Sequence, residues 1–331
     1  MFSQLKPVLL SLAAASLLAL PAAAASNAIP GTLNYVEGQV SVNGQPVTSK
    51  SVGSVEIEPG QRMETSQGRA EMLLTPGVFL RIGDQSSVQL VSPALENTSV
   101  RLLRGEAIVE ATQIFKDNNI RVALGNSSTR ITKEGLYDFN AASGLIRVFD
   151  GKATVQQNDQ AVNLKKGRQL ALNGPLKASH FDIKAQSTQD QLYTFSNLRS
   201  EYLAQASIDS ARNIYVGGGW WGGPGWYWDP WWSMYSFIPG DGIWFSPFGW
   251  PYFSPWYVYQ APWYGYGSHG RGFVGHRAML PSSVFRSRGF GASHMSAGFA
   301  GRAGGFGGAG FHGSGIGGGF HGGASPAIGR R

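Results

Sequence analysis

Between residues 31 and 175 the apolar positions fall in short β-branched runs separated by Gly, Pro, Asn and Asp. Alternation of apolar and polar residues is plain in Gln39-Val40-Ser41-Val42, Val78-Phe79-Leu80-Arg81-Ile82, Ser99-Val100-Arg101-Leu102 and Gly144-Leu145-Ile146-Arg147-Val148-Phe149. A period of two sends successive side chains to opposite faces of a strand, and runs of this length with turn residues between them read as many short strands. Helical periodicity is missing from this stretch. The pattern predicts an all-β domain over 31–175, either coiled and solenoid-like or sandwich-like, and a chain of that length buries about two-thirds of its unfolded surface, enough for one core.

One internal echo recurs. YVEGQVSV (35–42), LLRGEAIVE (102–110) and VFDGKATVQ (148–156) share a glycine at the same place, Gly38, Gly105 and Gly151, with separations of 67 and 46 residues. No fixed-period array fits such spacings. A glycine there permits positive φ or close backbone approach, so the echo reads either as one recurring corner between strands or as three independent tight turns.

The pattern changes after residue 187. Residues 188–214 contain neither Pro nor Gly, and Leu192, Phe195, Leu198, Tyr202 and Ala206 step by three and four. This predicts one amphipathic helix over 187–216, capped by Ser187 or Thr188 and ended by Gly217-Gly218-Gly219, with Asp190, Arg199, Glu201, Asp209 and Arg212 as its mixed charges. Packing across the end of the β domain accounts for such a helix better than lying on a membrane does.

Beyond it the composition is lopsided. Of 46 glycines, 31 lie after residue 213, and all ten tryptophans lie between Trp220 and Trp263. Residues 217–266 interleave Trp and Tyr with Gly and Pro and sustain no period of two or 3.6, so a packed domain is not expected. Three readings are open: an irregular coat on the β domain, a sticky surface for sugars, a membrane interface or another envelope protein, or disorder. Ten free indoles in water would invite aggregation, which favours the first two. The candidate binding surface is therefore Trp220, Trp221, Trp226, Trp228, Trp231, Trp232, Trp244, Trp250, Trp256 and Trp263. From 267 to 331 Gly, Ser and Ala dominate with isolated Phe, Arg and His, a composition that cannot offset the entropy of ordering it, and a disordered tail is expected.

Charge follows the same division. Residues 26–212 carry 19 Lys+Arg against 18 Asp+Glu, whereas residues 213–331 carry seven Arg and two Asp. The basic pI of about 9.6 belongs mostly to the tail, so no nucleic-acid-binding face is expected, and an anionic surface polymer suits the tail better.

At the other end, Lys6 precedes a 13-residue apolar run (residues 8–20), Pro21 breaks it, and residues 22–25 are alanines. This is an export signal with cleavage near Ala25, and the run is shorter than the roughly 18–20 residues a membrane span requires. The expectation is an exported protein of the periplasm or cell surface with at most peripheral membrane contact.

Catalytic and metal chemistry find little support. There is no cysteine, which removes disulfides and thiolate sites. Five of the six histidines fall in the last 63 residues, without the i,i+4 spacing of a metal site. A Gly-x-Gly-x-x-Gly match at Gly313, Gly315 and Gly318 follows no strand and opens no helix. Asp84, Asp150 and Asp159 sit in turn contexts, where a carboxylate bonds local backbone N–H groups. No catalytic residue, cofactor or metal ligand is assigned, and the chain reads as non-enzymatic.

The run GQRMETSQGRAEMLLTPGVFLRIGDQSSVQL (60–90) resembles the FecR domain, through Gly60, Thr65, the alternating residues 70–74, Pro76-Gly77, Arg81 and Ser87. The resemblance continues through Leu103-Arg104-Gly105-Glu106-Ala107, residues 131–139 and residues 146–155, and covers roughly 35–172. It implies an envelope regulator in which a cytoplasmic anti-sigma segment and one membrane helix precede an outer domain that senses a siderophore receptor. Here the export signal comes first, and Gly135-Leu136-Tyr137 stands where such proteins often show Gly-Thr before an aromatic strand. These departures imply a stand-alone FecR-type domain. Its expected role is an envelope interaction module holding an adhesive aromatic segment, with a surface polysaccharide or another envelope protein as partner. A signalling component of siderophore uptake is the alternative, and a cell-wall polysaccharide hydrolase a weaker one.

Overall fold

The computed structural model describes residues 28–217 and 221–261. The expected export signal (1–25), the glycine-rich tail (267–331), Trp220 and Trp263 lie outside the described residues. Among those described, no helix is long and apolar enough to cross a membrane.

β1 (Leu33–Val42) turns back through Asn43-Gly44 into the short β2 (Gln45–Val47) and pairs along most of its length with β3 (Arg62–Thr75). β3 changes partner around Gly68: its second part pairs with β4 (Val78–Ile82) and its first with β5 (Ser87–Ala94). β6 (Asn97–Arg104), β7 (Glu106–Ala111), β8 (Ile120–Leu124), β9 (Ser127–Ile131) and β10 (Gly135–Asn140) follow. β11 (Leu145–Asp150), β12 (Lys152–Gln157), β13 (Gln160–Lys165), β14 (Arg168–Ala171) and β15 (Ser179–His180) complete one sheet of 15 strands. Its spatial order is β13-β12-β9-β8-β6-β5-β3-β4-β7-β10-β11-β14-β15, with β1 and β2 attached along β3. Among the described residues only β6 and β8 pair in parallel.

The sheet folds over on itself. Leu74, Leu80, Val109, Phe139 and Val148 from one half share a single core with Val88, Val100, Val122 and Val155 from the other. The chain passes between halves at the glycine echo, which is one recurring corner. Gly105 joins β6 to β7 and Gly151 joins β11 to β12, both at positive φ (+77° and +94°). A Cβ at either position would run into Ser86 or the Tyr137 hydroxyl, so only glycine fits.

In the half made by β3, β4, β7, β10 and β11, the second face is also covered. β4 is buried at all five residues, with Val78, Leu80 and Ile82 in the main core and Phe79 and Arg81 on the opposite face. Leu73, Ile108, Leu136 and Phe149 share that face and belong to separate apolar clusters beyond the sheet. A strand covered on both sides loses its alternation of burial, though not of chemistry.

The cover begins with the one long helix expected, preceded by a short extra one. α1 (Ile183–Gln189) and α2 (Gln191–Gly217) break at Asp190. The caps are Asp182, which accepts from the amides of Lys184 and Ala185, and Asp190, which accepts from the amide of Tyr193; neither Ser187 nor Thr188 caps. The Thr188 hydroxyl donates instead to the Lys184 carbonyl. The buried stripe of α2 also departs from expectation. Leu192, Phe195, Leu203 and Ala206 are buried, but Leu198 is 48% exposed and Arg199 is 3% exposed. The helix turns the charged Arg199 inward because the sheet face beneath it carries carboxylates.

The aromatic segment completes the cover, with two short hairpins set in an otherwise largely irregular backbone. β16 (Gly225–Asp229) and β17 (Met234–Ile238) form one hairpin, β18 (Ile243–Phe245) and β19 (Pro251–Phe253) another. Both pack on α2, and Trp226, Met234, Tyr235, Phe237 and Tyr252 share a cluster with Leu73, Phe79, Leu203 and Ala206. Strands this short escape a search for periodicity. Their order comes from α2 and the sheet, which lie far away in sequence.

Candidate functional site

Side chains of α2 and β1 fasten the aromatic segment. The Trp232 indole donates to Asp209 Oδ2 at 3.0 Å and the Trp250 indole to Asn197 Oδ1 at 2.9 Å. Asp229, buried, accepts from the amides of Trp231 and Trp232 and from the Ser210 hydroxyl. Asn34 of β1 acts as a surrogate strand partner for Tyr235: its Oδ1 accepts from the Tyr235 amide at 2.8 Å, and its Nδ2 donates to the Tyr235 carbonyl at 3.0 Å.

These contacts divide the ten expected binding tryptophans. Trp226 is buried edge-on against Phe79, with ring centroids 5.0 Å apart, and is a core residue. Trp228 packs on Tyr235 at 5.1 Å and lies against Gly53, while Trp232, Trp244 and Trp250 are partly buried in the same cluster. Packing of the outer layer is what these five do, which removes them from the candidate surface. Trp231 is 76% exposed at the tip of the β16–β17 hairpin, and Trp256 is 56% exposed. Trp221 stands edge-on to Trp256 at 6.2 Å, and Tyr257 and Tyr259 beside it are also exposed. The remaining candidate surface is thus Trp221, Trp231 and Trp256 with the two tyrosines.

Beneath α2 lies a buried ion network that the strand pattern did not disclose. Arg81 Nε donates to Glu71 Oε2 and Arg81 Nη1 to Glu110 Oε2, both at 2.6 Å. Arg199 Nη2 donates to Glu71 Oε1 at 2.9 Å, and its guanidinium lies 4.3 Å from the centroid of the Tyr35 ring. Asn34 Nδ2 and the Ser200 hydroxyl complete the shells of Glu71 and Glu110, each at 2.8 Å. Two carboxylates and two guanidiniums balance. Burial alone would raise Glu71, but Arg199 and Arg81 outweigh it and bring the carboxyl down to about 2. Glu110 meets one guanidinium, and burial pushes it above the ordinary carboxylate value. Such a network locks α2 to the sheet at one register, with Arg81 Nη2 and Arg199 Nε the two buried nitrogens in it that meet no acceptor among the described residues.

A second cluster is less balanced. Glu106 at the start of β7, Asp138 on β10 and Asp190 at the helix break each present a carboxylate oxygen within 4.8 Å of the other two. Arg147 Nη1 donates to Asp138 Oδ2 at 2.7 Å, and Asn140 Nδ2 lies 3.4 Å from Glu106 Oε1. Asp138 Oδ1 and Asp190 Oδ2 are buried and meet no donor among the described residues. Burial, then repulsion from Glu106, holds Asp138 well above its ordinary value, and burial with repulsion from Asp190 raises Glu106.

None of these residues was singled out from the sequence for a site, although Arg81 was noted as a family position. One signal was present: Leu73, Phe79 and Ile108 are apolar on the same face as Glu71, Arg81 and Glu110. An apolar outer face needs a cover, and charges beneath a cover need partners.

A groove of about 380 Å³ near this layer runs past Tyr35, Glu37, Arg69, Gln189, Phe195 and Leu198 and is open to solvent. Asp84 accepts from the Gly68 amide at 2.7 Å, a donor in the distant β3 and not in its own turn.

No known protein family matches the sequence, and no curated protein does. The solved structures to which the chain is similar include two described as candidate anti-sigma factors from Parabacteroides distasonis ATCC 8503. The first is 15% identical with a TM-score of 0.33, over 38% of this chain and 62% of its own, so this chain spans about three-fifths of that protein's length. The second is 12% identical with a TM-score of 0.34, over 54% of this chain and 98% of its own.

Proposed function

We propose that this protein is an exported, non-catalytic binding module of FecR type, whose exposed aromatic side chains hold a surface polysaccharide of the cell envelope. One observation carries the reading. The segment that contains all ten tryptophans is anchored by Trp226, Trp228, Trp232 and Trp250, and that anchoring holds Trp231 and Trp256 out in water, 76% and 56% exposed. Large flat rings cost free energy when left in contact with water, and a rigid support that keeps them there suits stacking against the apolar faces of sugar rings. The export pattern of residues 1–25 supports the compartment.

The test is retention of purified full chain on insoluble envelope polysaccharide, with Trp231→Ala/Trp256→Ala beside the parent. Surface substitutions away from packing change stability by about 0.5 kcal/mol or less, so the variant is expected to melt like the parent and to lose most of its retention. Equal retention of the two proteins refutes the reading.

A further inference from the structure

The cluster of Glu106, Asp138 and Asp190 has a composition and placement that the ion network beneath α2 does not share. We propose that these three carboxylates form a calcium site that pins the α1–α2 break to the sheet. Three carboxylates against the single guanidinium of Arg147 leave two negative charges, and a divalent cation cancels them. Asp138 and Asp190 are buried, and each keeps one oxygen that no donor reaches among the described residues. A buried carboxylate oxygen without a donor carries a full desolvation cost, which a cation removes. The oxygen-only donor set suits a hard cation; zinc and copper favour nitrogen or sulfur ligands. Calcium binds oxygens at about 2.3–2.6 Å, so oxygens on opposite sides of one ion stand up to about 5 Å apart, and the mutual separations within 4.8 Å stay inside that limit. Glu106 is half-exposed, which leaves a side open for the waters that complete the coordination.

The three ligands come from β7, β10 and the helix break, so the ion acts as a clasp. Asp190 continues to cap α2 through Oδ1, which accepts from the Tyr193 amide at 2.9 Å, and offers Oδ2 to the cation. The clasp lies at the N-terminal end of α2, a little over two turns before Arg199, and with the ion network fixes the helix at two points. This inference is independent of what the aromatic rings bind.

Terbium, a calcium mimic, reports on the site through energy transfer from Tyr193, and the full chain is first stripped with chelator. Saturable terbium emission that calcium displaces, together with a thermal midpoint that rises by several degrees in calcium, is the expected result. Glu106→Gln, at a half-exposed position, is expected to fold and to weaken calcium binding at least tenfold, and Asp190→Asn to do the same while keeping the cap. Terbium emission that calcium does not displace, a midpoint indifferent to calcium, or unchanged affinity in Glu106→Gln overturns the proposal. A chelated protein that gains stability on mild acidification and ignores calcium also overturns it, and assigns the cluster to a proton shared between Asp138 and Glu106.

Discussion

Replacing Arg199 by methionine keeps the length and apolar stem of the side chain and removes one charge from a balanced network of four. Glu71 then retains only Arg81, which it shares with Glu110. The size of the effect follows from Glu71 itself. Its carboxyl falls from an ordinary 4.5 to about 2 on folding, although burial alone would raise it. At about 1.36 kcal/mol per pH unit this difference is about 3 kcal/mol in favour of the ionised form. Arg199 supplies a large part of it, and the variant also leaves a charge buried and undercompensated, for which about 3–5 kcal/mol is usual. Since whole domains are stable by only about 5–15 kcal/mol, Arg199→Met is expected to lose a third or more of the total. The pH dependence carries a sign. A carboxyl whose folded value is depressed contributes stability that is complete above 4.5 and is lost as pH falls toward 2. In the variant Glu71 takes up its proton earlier, which relieves the stranded charge, so the gap between parent and variant narrows as the solution is acidified below neutrality. Subtracting one protein from the other cancels the opposite slopes from Glu110 and Asp138, whose values are raised in both. Urea unfolding followed by tryptophan fluorescence at neutral pH and near pH 4 measures the gap. A second variant, Arg199→Met/Glu71→Gln, removes both charges and is expected to be less destabilised than the single one. A loss below about 1 kcal/mol at neutral pH, or one that does not change with pH, refutes the account of α2 as an ion-locked cover.

Two further outcomes follow from the same architecture. A chain ending at residue 216 loses both hairpins and bares Leu73, Phe79, Leu203 and Ala206, all buried now, so it is expected to self-associate and bind a hydrophobic dye; a chain ending at Ala261 keeps every described contact and is expected to remain monodisperse by size-exclusion chromatography. Gly105→Ala combines a left-handed backbone with a Cβ that meets Ser86, whereas Gly60→Ala has positive φ but open space. In urea unfolding the first is expected to cost about 3 kcal/mol or more and the second about 1 kcal/mol.

What the sequence determined by itself was local. Alternation in residues such as 78–82 and the turn residues between runs specified strands, because the period of two is a property of the extended backbone. The corner glycines were legible for a similar reason: positive φ restricts the residue type at Gly105 and Gly151, whatever surrounds them. The start of the helical stripe at Leu192 and Phe195 was legible as well. Its continuation was not. Leu198 belonged to the expected stripe and is exposed, while Arg199, read only as one of the helix's mixed charges, is buried, because its partner Glu71 lies 128 residues earlier and appears beneath it only after the sheet has folded. The hairpins of the aromatic segment likewise depend on Asn34 and on the α2 side chains Asn197 and Asp209, which no local window contains. Backbone geometry is set by neighbours in the chain and can be read from them. Burial of charge and the choice between anchoring and exposed tryptophans depend on which distant surface arrives, and only the tertiary structure decides that.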